Sequence, residues 1–384
     1  MFFFFRNDIP YELLSSSNSD EDINILIGEN GSGKSTLLNE LAKFYISGDS
    51  NVIALANSIY DKFTYSKKIK IQRAASGKSV AIKTIKIALI NLANDHLNRL
   101  RQVANTLSYI GFEPVIGFQL KGIAKNFRDK VIDSKLKSDE KEDLLYFLNR
   151  FSSDEVKNGD IIRINFDTNT FKDIRNSYLV TLFLYEKQLK ALKLISSINV
   201  YLRKNGEDIP LLKASSGEIA LATTLIYITS TIREHSIILI DEPENSLHPK
   251  WQIEYIKRLS ELFYYYQPKI VVATHSPLIL NGAEVNSNRI NVFKGIRGKF
   301  KLHQNSATNV EEIYQDFFDV TTPENRYISE EIVDKMNLLS EKQINEQDFQ
   351  SFIEEIKNSS YDEKQKEALD GVIELSKQVI KEIE

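Results

Sequence analysis

The sequence predicts an α/β fold built on a parallel sheet, and three features predict it. Short, fully apolar runs recur between segments of helical periodicity. One run leads into a glycine-rich loop, Gly28-Glu29-Asn30-Gly31-Ser32-Gly33-Lys34-Ser35, which opens a helix. Another, Ile237-Ile238-Leu239-Ile240, ends in two carboxylates, Asp241 and Glu242. Strands without a polar face are buried on both sides, as in parallel sheets covered by helices.

Taken in order, Phe2 to Phe5 read as a buried first strand, since four apolar residues are too few for a secretion leader. Residues 23–27 are an apolar, β-branched strand stopped by Gly28. Within 34–46, Leu37, Leu38, Leu41 and Phe44 fall on one helical face. Residues 52–56 are a second strand and 80–110 are helical with a broad apolar face. Strands are expected at 115–120 and 160–166, with charged helical sequence at 121–158 between them and a further helix at 176–195. Residues 197–212 read as a hairpin, because Asn205-Gly206 is the pair a two-residue turn favours. A helix at 217–234, a strand at 236–240, a helix at 249–266 and a strand at 269–274 then complete the alternation.

The tail from about 306 is helical and amphipathic. Ile328, Ile332, Val333, Met336 and Leu339 share one face, as do Phe349, Phe352, Ile353 and Ile356. Such a tail either caps the α/β core or offers a docking surface. The division expected is an N-terminal lobe with the glycine loop at 1–75, a mostly helical insert at 76–196, a C-terminal lobe at 197–305 and an acidic helical tail at 306–384.

The chain has 384 residues, enough for two domains or one large domain with insertions. It contains no cysteine, which excludes disulfide scaffolds, thiolate metal sites and a thiol nucleophile, and fits a reducing, cytoplasmic location. No apolar run reaches the ~18 residues of a membrane helix, so no membrane partner is expected. The net charge of −4 conceals an asymmetry. Residues 306–384 carry 20 Asp and Glu against 8 Lys and Arg, so the rest of the chain is mildly basic. A basic body is compatible with DNA, and equally with a solvated lysine-rich surface.

The glycine loop satisfies the phosphate-binding pattern at every position and lies between a strand and a helix. Asn30, Gly31, Ser32 and Gly33 turn their amides toward an anion at the positive end of the following helix. Lys34 can reach the β- and γ-phosphates of a nucleoside triphosphate, Ser35 can hold Mg²⁺, and Thr36 can bond the α-phosphate. Ser76-Gly77-Lys78-Ser79 repeats part of the pattern, but Gln72 stands where its first glycine is needed, and it reads as a charged loop. At the end of a buried parallel strand, side chains open onto the ligand crevice. Asp241 is placed there to hold Mg²⁺ beside Ser35, and Glu242 to orient a water and accept its proton.

Three further segments follow in order: Ala214-Ser215-Ser216-Gly217-Glu218, Glu244-Asn245-Ser246-Leu247-His248-Pro249 and Val271-Val272-Ala273-Thr274-His275-Ser276-Pro277. With these the chain resembles the ABC-type ATPases of the SMC/RecF/OLD-like group, over residues 20–60 and 197–285. The resemblance implies a P-loop NTPase fold, an ABC-type ATPase head with a helical insert and a C-terminal helical tail, using ATP and Mg²⁺. It makes Ser215, Ser216, Gly217 and Glu218 the signature that contacts the ATP of a partner subunit. It assigns Ser246 to His248 to the D-loop and His275 to the switch that senses the γ-phosphate. A homodimer or higher homo-oligomer is therefore implied. The group's glutamine after the second strand is missing. Asn57 could replace it as a contact to magnesium or water, with Gln72 a poorer candidate. His96, His235 and His303 read as structural, and His248 either way.

Helices of about 20–30 residues reach only ~30–45 Å, so the long coiled-coil arms of repair ATPases are not expected. Nor does any segment after 285 resemble a Toprim nuclease. The tail from 310 to 333 looks similar to Septu-type anti-phage ATPases, with those of PARIS second. That likeness implies a separate nuclease subunit, of HNH type. The alternative is a RecF-like DNA-repair ATPase with no dedicated nuclease.

Overall fold

In a computed structural model, residues 9–15, 22–58, 61–73, 78–93, 97–122, 124–152, 160–167, 178–286, 290–303, 313–314, 317, 326–359 and 363–383 are described. The strand expected at Phe2 to Phe5 and the reading of His96 lie outside them. After a short helix α1 (Tyr11–Leu14), strand β1 (Asp22–Ile27) leads through the glycine loop into α2 (Lys34–Ser47), followed by β2 (Val52–Ala56) and β3 (Ile69–Arg73). Next come α3 (Lys78–Ala93), α4 (Leu97–Ile110), β4 (Val115–Lys121), α5 (Phe127–Ile132), α6 (Ser138–Ser152), β5 (Ile161–Asn165) and α7 (Tyr178–Ala191). The hairpin β6 (Ser197–Lys204) and β7 (Glu207–Pro210) precedes α8 (Ser216–Thr231), β8 (Ile237–Asp241), α9 (Pro249–Phe263), β9 (Lys269–Thr274) and α10 (Pro277–Asn286). Strands β10 (Ile290–Ile296) and β11 (Lys299–Leu302) and helices α11 (Arg326–Ser340), α12 (Glu346–Ser359) and α13 (Glu363–Ile383) complete the order.

The main sheet runs β11-β10-β1-β9-β8-β2-β3 and is parallel except for β11. Side-chain alternation along each strand supplies two cores. Ile23, Ile25, Ile27, Ile238, Ile240, Ile270 and Val272 face the core beneath α8, α9 and the insert helices. Leu26, Leu239, Val271, Ala273 and Phe293 face the other way, against Leu37, Leu38 and Leu41 of α2. Both faces are covered, which explains the near-continuous apolar runs in the sequence.

The second sheet, β5-β4-β6-β7, is antiparallel and draws strands from both sides of residue 197. Asn205 (φ 53°) and Gly206 (φ 79°) are both left-handed, the conformation a tight hairpin turn requires. Helix α8 packs against α3 and α4 and is buried along most of its length. Its C-terminal carbonyls are met by side chains from three elements. Lys70 donates to Thr231 O at 2.9 Å, Arg99 to Ile232 O at 2.8 Å and Asn51 to Thr231 O at 3.3 Å. Burial, with Arg233 and Arg99 nearby, pushes the Lys70 ammonium down to about 8. Cations at a helix C-terminus offset the negative end of its dipole, so this cluster secures α8 against the sheet.

Several expectations are corrected. Lys78 and Ser79 open α3 rather than lying in a loop. Helix α8 ends at Thr231, three residues early, where Ile232 turns extended. Strands β3, β10 and β11 have no counterpart in the sequence reading, because each is flanked or interrupted by charge. Val333 is 58% exposed and does not share the buried face of α11. At the start of the tail, Ile313 and Phe317 pack into the core of the head, whereas the described tail helices pack mainly on one another. Leu339, Phe349, Ile353, Ile356 and Leu369 form a core of their own among α11, α12 and α13, separate from the two cores of the sheet.

Candidate functional site

Four adjacent parallel strands, β1, β9, β8 and β2, end on one line. Ile27 pairs with Thr274, Ala273 with Asp241 and Asp241 with Ala56. Just past those ends stand the glycine loop, His275, Glu242 and Asn57. Segments far apart in sequence therefore open onto one crevice at the carboxyl edge of the sheet.

The loop is shaped by glycines that other residues could not replace without strain: Gly31 has φ 83° and Gly33 φ 101°. Lys34 is 6% exposed, and its Nζ donates to Gly28 O at 2.6 Å and Glu29 O at 3.0 Å. Burial pushes its pKa down, while Glu244, Glu242 and Asp241 act to raise it. Ser35 and Thr36 occupy the first turn of α2. Ser35 Oγ donates to Asp241 Oδ1 at 3.0 Å, so the hydroxyl and the acid expected to share a metal are already in contact. Asn57 N–H donates to the Asp241 carbonyl at 3.1 Å, which sets Asn57 beside that acid. Gln72 is buried one strand further out, on β3.

Glu242 follows β8 in a left-handed conformation (φ 50°), with its N–H on Ala273 O at 2.9 Å and its carboxylate accepting from Asn245 Nδ2 at 3.0 Å. A non-glycine residue held in this conformation costs roughly 1–3 kcal/mol, which the surrounding hydrogen bonds offset. A third acid is the functional candidate that the sequence reading missed. Glu244 is 8% exposed, and its Oε1 accepts the His275 backbone N–H at 2.7 Å and lies 3.1 Å from His275 Nδ1. The other oxygen, Oε2, is buried with no hydrogen-bond partner. Its only trace in the sequence is one more carboxylate in Asp241-Glu242-Pro243-Glu244. Beyond His275, Ser276 Oγ donates to Gln252 Oε1 at 2.7 Å, and Gln252 Nε2 donates to Leu247 O at 3.0 Å, linking the end of β9 to the segment at 244–249.

Within the segment at 214–218, Ser215, Ser216 and Gly217 line a different cleft, of about 580 Å³, together with Ser246, Leu247, His248, Lys250 and Trp251. Ser215 caps α8. Its Oγ accepts from Glu218 N–H at 3.2 Å, and Glu218 Oε2 accepts from Ser215 N–H at 2.9 Å. Gly217 is required by packing: a Cβ there would lie 2.5 Å from Ser246 O. This cleft shares no lining residue with the one beside the glycine loop. His248 caps α9, accepting from Lys250 N–H at 3.2 Å, and faces Trp251. His235 sits in a turn at φ 54°, and the His303 ring packs tilted against Phe317, with ring centroids 4.7 Å apart.

The residues fit a magnesium triphosphate. Ser32 Oγ and Glu244 Oε2 are buried polar atoms without partners in the crevice. No group of three or more metal-binding side chains occurs among the described residues. The hydroxyl and carboxylate in contact at Ser35 and Asp241 are oxygen donors that suit Mg²⁺, which takes few protein ligands alongside phosphate oxygens and water. Burial pushes the Asp241 carboxyl up to about 7, against the hydrogen bond from Ser35, with Glu242 raising it further. Its pKa in the unfolded chain is near 3.8. Between those values the folded protein holds a proton that the unfolded chain has released, so this carboxyl costs stability as pH rises from about 4 to about 7. In chelator and without nucleotide, Asp241→Asn is expected to flatten the fall of melting temperature over that range. An unchanged profile would remove Asp241 as its source.

A family model described as "AAA domain, putative AbiEii toxin, Type IV TA system" matches residues 109–281. The "Retron Vc95 probable ATPase" of Vibrio cholerae is 24% identical, over 76% of this chain and 73% of its own length. "Protein ea59" of Escherichia phage lambda is 24% identical over 71% of this chain and 49% of its length. "Septu protein PtuA" of Bacillus mycoides is 40% identical over a stretch of 70 residues, 17% of this chain and 9% of its length. The chain thus spans about half of the lambda protein and a small part of the Septu protein. No described helix is long and apolar enough to cross a membrane. The phosphate loop and the sheet order are those of a nucleotide-binding α/β fold, and over the parts matched the chain is similar to a family of AAA domains, to a probable ATPase of a retron and to a Septu protein.

Proposed function

We propose that this ABC-like ATPase binds and hydrolyses ATP in the crevice at the ends of β1, β9, β8 and β2, and thereby licenses a separate nuclease in anti-phage defence. The observation that carries the enzymatic part is the contact between Ser35 and Asp241, with Lys34, Glu242 and His275 at the same sheet edge. Ser35 and Asp241 would hold Mg²⁺, with Asn57 as a further contact. When bound, that ion would supply positive charge that offsets the charge of the triphosphate. The loop amides and Lys34 bind and orient the triphosphate. Glu242 positions the attacking water and takes its proton. His275, held by Glu244 through its own N–H, hydrogen-bonds the γ-phosphate and reports its loss.

Ser215 and Ser216 are exposed and line a cleft of their own with Gly217, available to the ATP of a second copy, while Glu218 braces this segment through the Ser215 N–H. Two chains would then close over two nucleotides and open after cleavage. The tail helices or the insert would carry the nuclease, with the HNH class favoured by the likeness to Septu. These proteins would act in the cytoplasm, and DNA is a candidate ligand through the basic body.

The test is to purify the chain together with the nuclease encoded beside it and to measure DNA cleavage with ATP, with a non-hydrolysable analogue and with neither. Cleavage that differs among the three conditions supports licensing. Cleavage indifferent to nucleotide overturns it. ATP-dependent, salt-sensitive DNA binding by the chain alone, with no associated nuclease, would instead favour the DNA-repair reading.

A further inference from the structure

The groups that face a γ-phosphate stand on one side of β1, at the ends of β9 and β8. The other neighbour of β1 is β10, whose Lys294 pairs with Ile27 at the start of the loop. A triphosphate with its terminal phosphate toward Asp241 and His275 must therefore send its remaining end toward β10.

There the turn between β10 and β11 is built against the loop. A Cβ on Gly28 would lie 2.6 Å from Gly295 O, and Gly298 N–H donates to Ser32 O at 3.0 Å. Between turn and loop lies a cleft of about 310 Å³, lined by residues 29–32, residues 294–297 and Phe317. That size is at the small end of ligand pockets, which run from roughly 300 to 1,000 Å³. Ile296 is 57% exposed in this turn, an aliphatic side chain turned to solvent. Arg297 follows it in a left-handed conformation (φ 46°). Ser32, 6% exposed, lines the same cleft with an Oγ that has no partner.

We propose that this cleft seats the base and ribose of the nucleoside triphosphate, with Ile296 packing on the base and the Arg297 guanidinium stacking or bonding at its edge. The assignment rests on the reading of the phosphate loop and extends it to residues outside every motif in the sequence. An aliphatic surface with a planar cation beside it suits an aromatic heterocycle, because guanidinium groups stack on π faces.

The experiment measures calorimetric affinities for ATP and for inorganic tripolyphosphate, each with Mg²⁺, in wild type, Ile296→Asp, Arg297→Asn and Lys34→Ala. Asparagine is chosen because it tolerates positive φ. The two turn variants are expected to lose about tenfold in ATP affinity, the ~1.4 kcal/mol of one good contact, while binding tripolyphosphate as wild type does. Tripolyphosphate binding also reports that the loop remains folded. Unchanged ATP affinity, or equal loss for both ligands, overturns the assignment. Lys34→Ala should lose both. If it loses neither, the phosphate-loop reading fails instead, and the two failures are told apart.

Discussion

Replacing Lys34 by alanine is expected to lower ATP affinity at least about a hundredfold by calorimetry in Mg²⁺, with no turnover left to measure. Its Nζ bonds two loop carbonyls and sits among Asp241, Glu242 and Glu244. Hydrogen bonds involving a charged group are worth roughly 1.5–3 kcal/mol each, and the ammonium can give two to a triphosphate. Its removal also leaves three carboxylates to repel an incoming polyanion. The same substitution relieves the cost of burying that ammonium, so the variant should remain folded in thermal melts. Near-normal ATP affinity in a folded Lys34→Ala protein would refute the loop as the phosphate site.

Glu242→Gln separates binding from chemistry. Turnover is expected to fall about 10²–10³-fold, in the range attributed to a positioned general base. ATP affinity should stay within about threefold, because the amide keeps the volume of the side chain and can still accept from Asn245. Light scattering should then show an ATP-dependent dimer that persists, since closure no longer ends in cleavage. Of the three neighbouring acids, Asp241 and Glu244 are buried and Glu242 only partly so, which makes Glu242 the proposed base. Unchanged turnover in Glu242→Gln would move that role elsewhere. A variant that is inactive but never dimeric would count against the two-copy mechanism while leaving the active-site assignment standing.

Much of this site was legible because its parts are local. A glycine loop between strand and helix is defined by consecutive residues, and so is an apolar strand ending in Asp241 and Glu242. The hairpin at Asn205-Gly206 and the face of Leu37, Leu38 and Leu41 follow from turn chemistry and helical period alone. Glu244 was not legible: one more carboxylate in an acidic run carries no sign that it will be buried against the His275 amide. The β10–β11 turn escaped for a related reason, since Lys294, Arg297 and Lys299 make its strands read as charged surface. Val333 was misplaced because helical period sets which residues share a face but not how wide the buried stripe is.

From sequence alone came the expected chemistry: an α/β chain with a phosphate loop and an acid pair proposed for metal and base, with a switch histidine implied by resemblance, each carried by a short contiguous motif. Tertiary structure decided which of these meet. Every buried parallel strand has the same apolar pattern, so nothing local ranks β9 and β8 between β1 and β2, or β10 on the outer side of β1. That order comes from long-range pairing and from the cores on the two faces of the sheet. It sets Ser35 against Asp241 and Glu244 against His275, and it opens a cleft beside the loop where no motif marked one.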